Sequence, residues 1–489
     1  MSPLILALDI GTSSSRTALF DHTGQRILES TAQQSYPLLT TPDGGAEMDP
    51  QHLLDAILKC LQKTLAYAKS ATPLRGRPIA GIGVSCFWHS MVGTDSSGRP
   101  LTPIITWADA RCRSEAENLR QSLSEKKVHA RTGCMLRSSF WPAKLLWLQR
   151  RDPQLFQKVR FWISPAEWLQ QTLAGEASCA LGMATGTGLF NPTTLDWDPS
   201  LLELCQLTPN QLLPLSDAPT PVSGSLVKHF PELAGVPWFP GIGDGAASNL
   251  GSGCTTDGLA AINVGTSAAL RVMCSGKSAR APFGLFCYRV DANRFLVGGA
   301  VSNAGNLRAW CLRELQTGSP EQLEAALAAR PKPDHGLTVL PFWTTERAPT
   351  WNEDIQGTIM GIKQSTTGLD LLQAVTESTY HRLALIAELL ILKRGTIPRF
   401  FVSGGIQNSA TALQRLADVL DHPVFPNPEP EASIRGAAIF VMEKLGIPVT
   451  PLPEASPLTP RPEVALAYSK ARQKQKTLER QLERLSKTL

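Results

Sequence analysis

The chain opens on an apolar run, Leu4-Ile5-Leu6-Ala7-Leu8, which continues through Asp9-Ile10 and stops at Gly11-Thr12-Ser13-Ser14-Ser15. Short apolar runs bounded by small polar residues read as buried strands separated by turns. Arg16 to Asp21 resumes the pattern, Asp21-His22-Thr23-Gly24 closes it, and a third strand follows through Ile27-Leu28. From Pro50 to Lys69 the period changes. Leu53, Leu54, Ile57, Leu58, Leu61 and Leu65 recur at helical spacing and predict an amphipathic helix. Ile79 to Val84 is the next buried strand. Alternation of short strands and long helices continues through both halves, which predicts an α/β fold.

One stretch returns. Leu8-Asp9-Ile10-Gly11-Thr12-Ser13 comes back as Ile262-Asn263-Val264-Gly265-Thr266-Ser267, near the start of the second half. Each copy is an apolar strand, a Gly-Thr-Ser turn and a second apolar strand, so the chain reads as two copies of one module facing each other. The length agrees, because 489 residues exceed what one core usually fills. The expected units are residues 1–250, residues 251–460, and a basic helix over 461–489.

Composition narrows the class. With 43% hydrophobic and 18% charged residues, no secretory leader and no apolar run of membrane-spanning length, the chain reads as a soluble cytoplasmic protein with no membrane partner. Its ten cysteines are scattered singly and the histidines show no ligand spacing, so reduced buried thiols are expected, not a metal or disulfide framework. The net charge is +5, and residues 461–489, with eight basic and three acidic side chains, hold all of the excess. Glu463, Glu479 and Glu483 interrupt that stretch, which reads as a solvated terminal helix and not a nucleic-acid arm.

The candidate chemistry sits in the turns. A glycine turn lets backbone N–H groups approach phosphate oxygens, and Thr12, Ser13 and Ser14 add hydroxyls. The first copy of the repeat carries Asp9, a carboxylate able to hold a magnesium–phosphate unit, where the second has neutral Asn263. Gly241-Ile242-Gly243-Asp244-Gly245-Ala246 fits a dinucleotide fingerprint, but Pro237 and Pro240 interrupt the strand that fingerprint requires. Asp244 reads instead as a carboxylate presented at a helix start, placed to take a proton from an attacking hydroxyl. No P-loop sequence occurs. Phe401-Val402-Ser403-Gly404-Gly405-Ile406, ahead of a helix over 410–420, is either a seat for a planar base or a plain strand-to-helix turn.

Taken in order, these blocks resemble the FGGY carbohydrate kinases of the hexokinase/heat-shock-protein/actin superfamily. The resemblance runs from Asp9-Ile10-Gly11-Thr12 through Trp107-Ala108-Asp109-Ala110-Arg111, Gly243-Asp244-Gly245-Ala246, Asn263-Val264-Gly265-Thr266-Ser267 and Glu346-Arg347-Ala348-Pro349. It ends on Ser403-Gly404-Gly405 and Glu431-Ala432-Ser433-Ile434-Arg435-Gly436. It implies two ribonuclease-H-like (actin-like ATPase) domains, a duplicated pair with ATP, Mg²⁺ and a small sugar or sugar acid in the cleft between them. By the same resemblance Asp244 is the catalytic base and Asp9 the metal-side carboxylate. Thr12, Ser13 and Arg16 match the first phosphate hairpin, and Gly265 and Thr266 the second. Gly305 begins the nucleotide-side helix, and Gly404, Gly405 and Asn408 match the adenosine turn. Trp88, His89, Trp107 and Asp109 match sugar-contacting positions. Trp107-Ala108-Asp109, the block Gly265 to Arg271 and the block Gly298 to Asn303 are similar to the gluconate branch, with a xylulose or other ketose kinase as the alternative. A carboxylate substrate asks for a cation, for which Arg111 and Arg137 are the candidates. A non-catalytic sugar or nucleotide sensor is the rival from another class, and a homodimer is left open.

Overall fold

The structure, a computed structural model, describes residues 2–485, the side chains of Pro320 and Glu321 aside. The last residues of the expected terminal helix, 486–489, lie outside the described residues.

The first sheet is built on β1 (Leu4–Ile10), β2 (Ser14–Phe20), β3 (Arg26–Ser35) and, after α1 (Pro50–Ser70), β4 (Ile79–Cys86). β1 is antiparallel to β2 and parallel to β4, and β2 is antiparallel to β3. Short strands at Thr220–Pro221, Pro237–Trp238 and Ile242–Gly243 extend the sheet beyond β4. β1 is buried on both faces, which is why its sequence is almost continuously apolar. Leu4, Leu6 and Leu8 face the core that holds Leu53, Ile57, Leu61 and Leu65 of α1, while Ile5 and Ala7 face the opposite side. α1 starts where expected because Asp49 caps it, its side chain accepting from the Gln51 N–H, and Pro50 occupies the first turn.

After α2 (Asp244–Gly251) the plan repeats. β5 (Leu259–Val264) is antiparallel to β6 (Ala268–Ser275). After β7 (Phe286–Asp291) comes β8 (Arg294–Val301), which pairs antiparallel with both β7 and β6. α3 (Gly305–Glu314) and α4 (Gly368–Arg394) then lead to β9 (Arg399–Ser403), parallel to β5. α5 (Ala410–Leu420) leads to β10 (Val424–Pro426), parallel to β9. β5, β6, β8 and β9 thus repeat the pairing of β1, β2, β3 and β4. The repeat extends to register, since Asp9 is the partner of Ser85 and Asn263 the partner of Ser403. The molecule is a duplicated α/β pair of ribonuclease-H-like lobes.

The lobes are tied by helices. α6 (Ala432–Lys444), from the second half of the chain, returns to the first sheet, where Ile434, Ala437, Ala438, Val441 and Met442 pack against Ile5, Ala7, Ala18 and Phe20. A Cβ at Gly83 would stand 2.2 Å from the Ala437 carbonyl oxygen, so only glycine lets α6 lie this close to β4. α7 (Pro462–Leu485) is not a freely solvated arm: Val464, Ala465, Tyr468, Gln475, Leu478 and Glu479 form a buried stripe, Arg472 lies along it and pairs with Glu388, and Lys470, Lys474 and Arg480 are exposed. All ten cysteines are free thiols, nine of them buried. Among the described residues no helix is long and apolar enough to cross a membrane.

Candidate active site

Two cavities meet at the β5–β6 hairpin. One, of about 270 Å³, is walled by Thr12, Trp88, His89, Trp107, Asp244, Arg271, Tyr288 and Arg347. The other, of about 600 Å³, is lined by Gly265, Thr266, Gly305, Arg308, Thr376, Tyr380, Gly405, Ile406 and Ser409. The hairpin divides them residue by residue, with Asn263, Ser267 and Ala268 on the smaller cavity and Val264, Gly265 and Thr266 on the larger. A group held on one side of this turn is therefore next to a group held on the other.

Asp244 is the first residue of α2, delivered by Ile242–Gly243, which pairs with Ser85 and Cys86 of β4. Since Ser85 is also the register partner of Asp9, the two aspartates come off the same end of the two strands that pair with β4. The glycines beside Asp244 have a specific cause. A Cβ at Gly243 would stand 1.7 Å from the Trp88 ring, and one at Gly245 would stand 2.7 Å from that ring and 2.8 Å from Arg271 Nε. The indole is seated on the turn that aims Asp244, and its own Nε1–H donates to the Gly182 carbonyl at 2.9 Å.

Burial raises the Asp244 pKa above the usual carboxylate value, while the positive charges of Arg271 and Arg347 pull it back down. Burial likewise pushes Asp9 up to about 6, against the Arg16 guanidinium 3.6 Å away. Arg16 also pairs with Glu431 at 3.2 Å, linking the first hairpin to the start of α6. Burial holds Arg271 below its ordinary value and Arg347 down at about 10. Among the described residues neither arginine forms an ion pair, and Arg271 Nε has no hydrogen-bond partner. Arg347 is held by Ser302 Oγ at 3.0 Å and lies 5.1 Å from the centre of the Trp107 ring. His89 adopts a left-handed backbone (φ 66°), donates Nδ1–H to the Gly186 carbonyl at 2.5 Å and is pushed down to about 3 by burial. It is a neutral wall at physiological pH. Lys144, buried beneath, donates to the His89 and Ser139 carbonyls at 2.8 Å each and fixes that loop.

The structure gathers Thr12, Trp88, His89, Trp107 and Asp244 around the smaller cavity, with Trp107 Nε1–H donating to Thr12 Oγ1 at 3.0 Å. Asp9 is buried and faces Arg16. Gly265, Thr266, Gly305 and Gly405 line the larger cavity, and Gly404 (φ 92°) makes the turn beneath it. Six expected positions line neither cavity: Asp9, Ser13, Arg16, Asp109, Gly404 and Asn408. Asp109 is buried off the cavity, accepting from the Ala46 N–H and paired with Arg111 at 2.6 Å, because a carboxylate two residues from an arginine satisfies it locally. Ser13 and Asn408 are exposed and line neither cavity. The cations expected for a carboxylate are also spent: Arg111 pairs with Asp109 and Glu47, and Arg137 with Glu125 and the Trp351 carbonyl. The cations that face the cavity are Arg271 and Arg347. Sequence reasoning passed over both as site residues, although strand alternation sets Arg271 apart from its apolar neighbours Leu270 and Val272.

Among the described residues no cluster of three or more acidic, histidine or cysteine side chains could hold a metal alone. Asp9 and Asp244 fit the smaller demand of magnesium, which takes one or two carboxylates and fills its shell with water and phosphate oxygens.

Comparison with known proteins finds one family over both halves of the chain. Family models for the FGGY family of carbohydrate kinases match residues 4–251 (N-terminal domain) and 260–443 (C-terminal domain). A gluconokinase of Bacillus subtilis (strain 168) is 28% identical over 465 residues, covering 91% of this chain and 88% of its own. A glycerol kinase of Koribacter versatilis is 28% identical over 458 residues, covering 91% and 90%. Among solved structures, a gluconate kinase from Lactobacillus acidophilus superposes with a TM-score of 0.89 at 25% identity, covering 99% of this chain and 98% of that one. A xylulose kinase from the same organism also reaches 0.89 at 25% identity, covering 98% of each.

Proposed function

We propose, because the chain belongs to the FGGY family of carbohydrate kinases and is a phosphotransferase, that it moves the γ-phosphate of ATP to a hydroxyl of a sugar acid, with gluconate as the acceptor. The observation that carries the acceptor is the pair Arg271 and Arg347. Two desolvated cations without carboxylate partners face one small cavity that holds a single acid, Asp244. Leaving such charges unpaired is costly, and an anionic polyol would neutralise the excess. The similarity to gluconokinases supports the same acceptor.

ATP would occupy the larger cavity, its base against Tyr380 and Ile406 and its phosphates at Gly265-Thr266, on the hairpin that also borders the smaller cavity. An acceptor hydroxyl in the smaller cavity loses its proton to the Asp244 carboxylate as its oxygen bonds to the γ-phosphorus. The bond from that phosphorus to the β–γ bridging oxygen breaks and ADP leaves. Burial raises the Asp244 pKa and so strengthens the carboxylate as a base, while the charges of Arg271 and Arg347 favour its ionised form. Magnesium, held by the nucleotide phosphates and Asp9, would offset charge on those oxygens. Most of the acceleration comes from placing the two groups on either side of one hairpin.

A neutral ketose is the second reading, favoured by the equal structural similarity to a xylulose kinase. An ADP-release screen over gluconate, xylulose, ribulose and glycerol separates the two. Turnover of gluconate above all others is expected, and turnover of xylulose with none of gluconate would overturn the choice of acceptor.

A further inference from the structure

α7 lies outside the stretch 260–443 matched by the family model, yet Glu479 of its buried stripe bonds Arg382 and Thr350, the residue before the cavity-lining Trp351. Glu479 Oε1 accepts from Thr350 Oγ1 at 2.8 Å, and its Oε2 accepts from Arg382 Nη1 at 2.6 Å. The other edge of Arg382 donates to Glu346 Oε1, from Nε at 3.0 Å and Nη2 at 2.7 Å, and Nη2 also donates to Thr350 Oγ1 at 2.9 Å. One turn along, Glu483 accepts from Asn352 Nδ2 at 3.3 Å. Glu346 and Arg382 are 1% exposed and Glu479 is 4% exposed, so these charge-assisted bonds are shielded from water and salt.

The residues so held are neighbours of the site. Glu346 precedes Arg347, and Thr350 and Asn352 flank Trp351, while Arg347 and Trp351 both wall the acceptor cavity. Trp351 has a left-handed backbone, φ 52°, a conformation a bulky residue keeps only where its surroundings impose it. Arg137 Nε donates to the Trp351 carbonyl and Trp351 Nε1 to the Gly284 carbonyl, which fix the ring and the peptide. The flanking side chains are fixed from α7. A helix that only covered a core would need its apolar stripe and none of these bonds.

We propose that α7 braces the acceptor wall, with Glu479 as a positioning residue that holds Arg347 and Trp351 in place through Thr350 and the Arg382–Glu346 pair. This rests on the smaller cavity being the acceptor site and not on which acceptor fills it. The test therefore uses whichever acceptor the native enzyme turns over, and an error in the gluconate reading shows in the native enzyme before any variant is made.

Glu479→Gln is expected to raise acceptor KM about tenfold, the size of one charge-assisted hydrogen bond, with ATP KM unchanged. Glu479→Asp should recover part of that loss. Tyr468→Phe is the control, since its hydroxyl bonds Glu377 and the Pro331 carbonyl on the same helix, away from residues 346–352. It should lower stability while leaving acceptor KM within about twofold. If Glu479→Gln does not fold, Thr350→Val decides, because it cuts the same link without stranding a buried charge, and it should raise acceptor KM in the same way. Unchanged acceptor KM in the folded variants, or an equal rise in acceptor and ATP KM, or the same rise in Tyr468→Phe, would overturn the brace.

Discussion

Gly251 of α2 and Gly436 of α6 meet where the two helices cross: a methyl on Gly251 would stand 1.8 Å from the Ala432 carbonyl oxygen, and one on Gly436 would stand 1.8 Å from the Ala247 carbonyl oxygen. α2 carries Asp244 and α6 is bound to the first sheet, so this crossing sets how Asp244 stands relative to that sheet. Backbone cannot yield as a flexible side chain can. Gly436→Ala should destabilise the protein by at least about 2 kcal/mol, an overpacking cost, read from denaturant midpoints. A parental midpoint would mean the helices are not in contact here.

The Trp88 indole fills the space a side chain at Gly243 would need. Gly243→Ala should push the turn that aims Asp244 and lower kcat by about a hundredfold, the effect of an ångström-scale displacement at a reacting group. ATP binding, measured by titration calorimetry, should be retained because the larger cavity is untouched. A parental kcat would show that Asp244 is not held by this seat.

Arg271 should govern acceptor affinity. Arg271→Met should raise the KM for gluconate some thirtyfold to 160-fold, equivalent to about 2–3 kcal/mol, and should affect a neutral polyol much less. An equal effect on charged and neutral acceptors would assign this arginine to the phosphate and not to a carboxylate.

Much of this arrangement is legible in the sequence because it rests on local patterns. The strands around Gly11 and Gly265 announce themselves as apolar runs broken by Gly-Thr-Ser, and α1 by its leucine spacing. Asp244 stands out because flanking glycines isolate it. Arg271 does not, since a single arginine in Ala-Ala-Leu-Arg-Val-Met gives no sign of whether its face meets solvent or a closed cavity. Asp109 misleads for the opposite reason: its partner Arg111 is two residues away, and local pairing leaves nothing for a ligand. In α7 the count of basic residues hides a buried stripe, because Tyr468, Gln475 and Glu479 acquire meaning only through partners far along the chain.

Asp9 gives a pH prediction. Its folded pKa is raised from 3.8 to about 6 by burial. The folded carboxyl keeps its proton at higher pH than the unfolded one, so its contribution to stability is complete below pH 3.8 and is lost as pH rises through about 6. Without nucleotide or magnesium, Asp9→Asn should therefore be more stable than the parent above that window, by on the order of 2 kcal/mol, with the gap closing at acid pH. Urea midpoints across the pH range check this. A variant less stable than the parent at pH values above the window would show that Asp9 is paired more strongly than its contact with Arg16 allows.

The central claim is that Asp244 takes the proton of an acceptor hydroxyl while a nucleotide across the hairpin gives up its terminal phosphate. Transfer of label from γ-labelled ATP to gluconate, measured side by side for the parent and Asp244→Asn with ATP affinity recorded for both, tests it most directly. The account predicts labelled product from the parent and a loss of about 10²- to 10⁴-fold in the variant at unchanged ATP affinity. Labelled product formed by Asp244→Asn at the parental rate would contradict it.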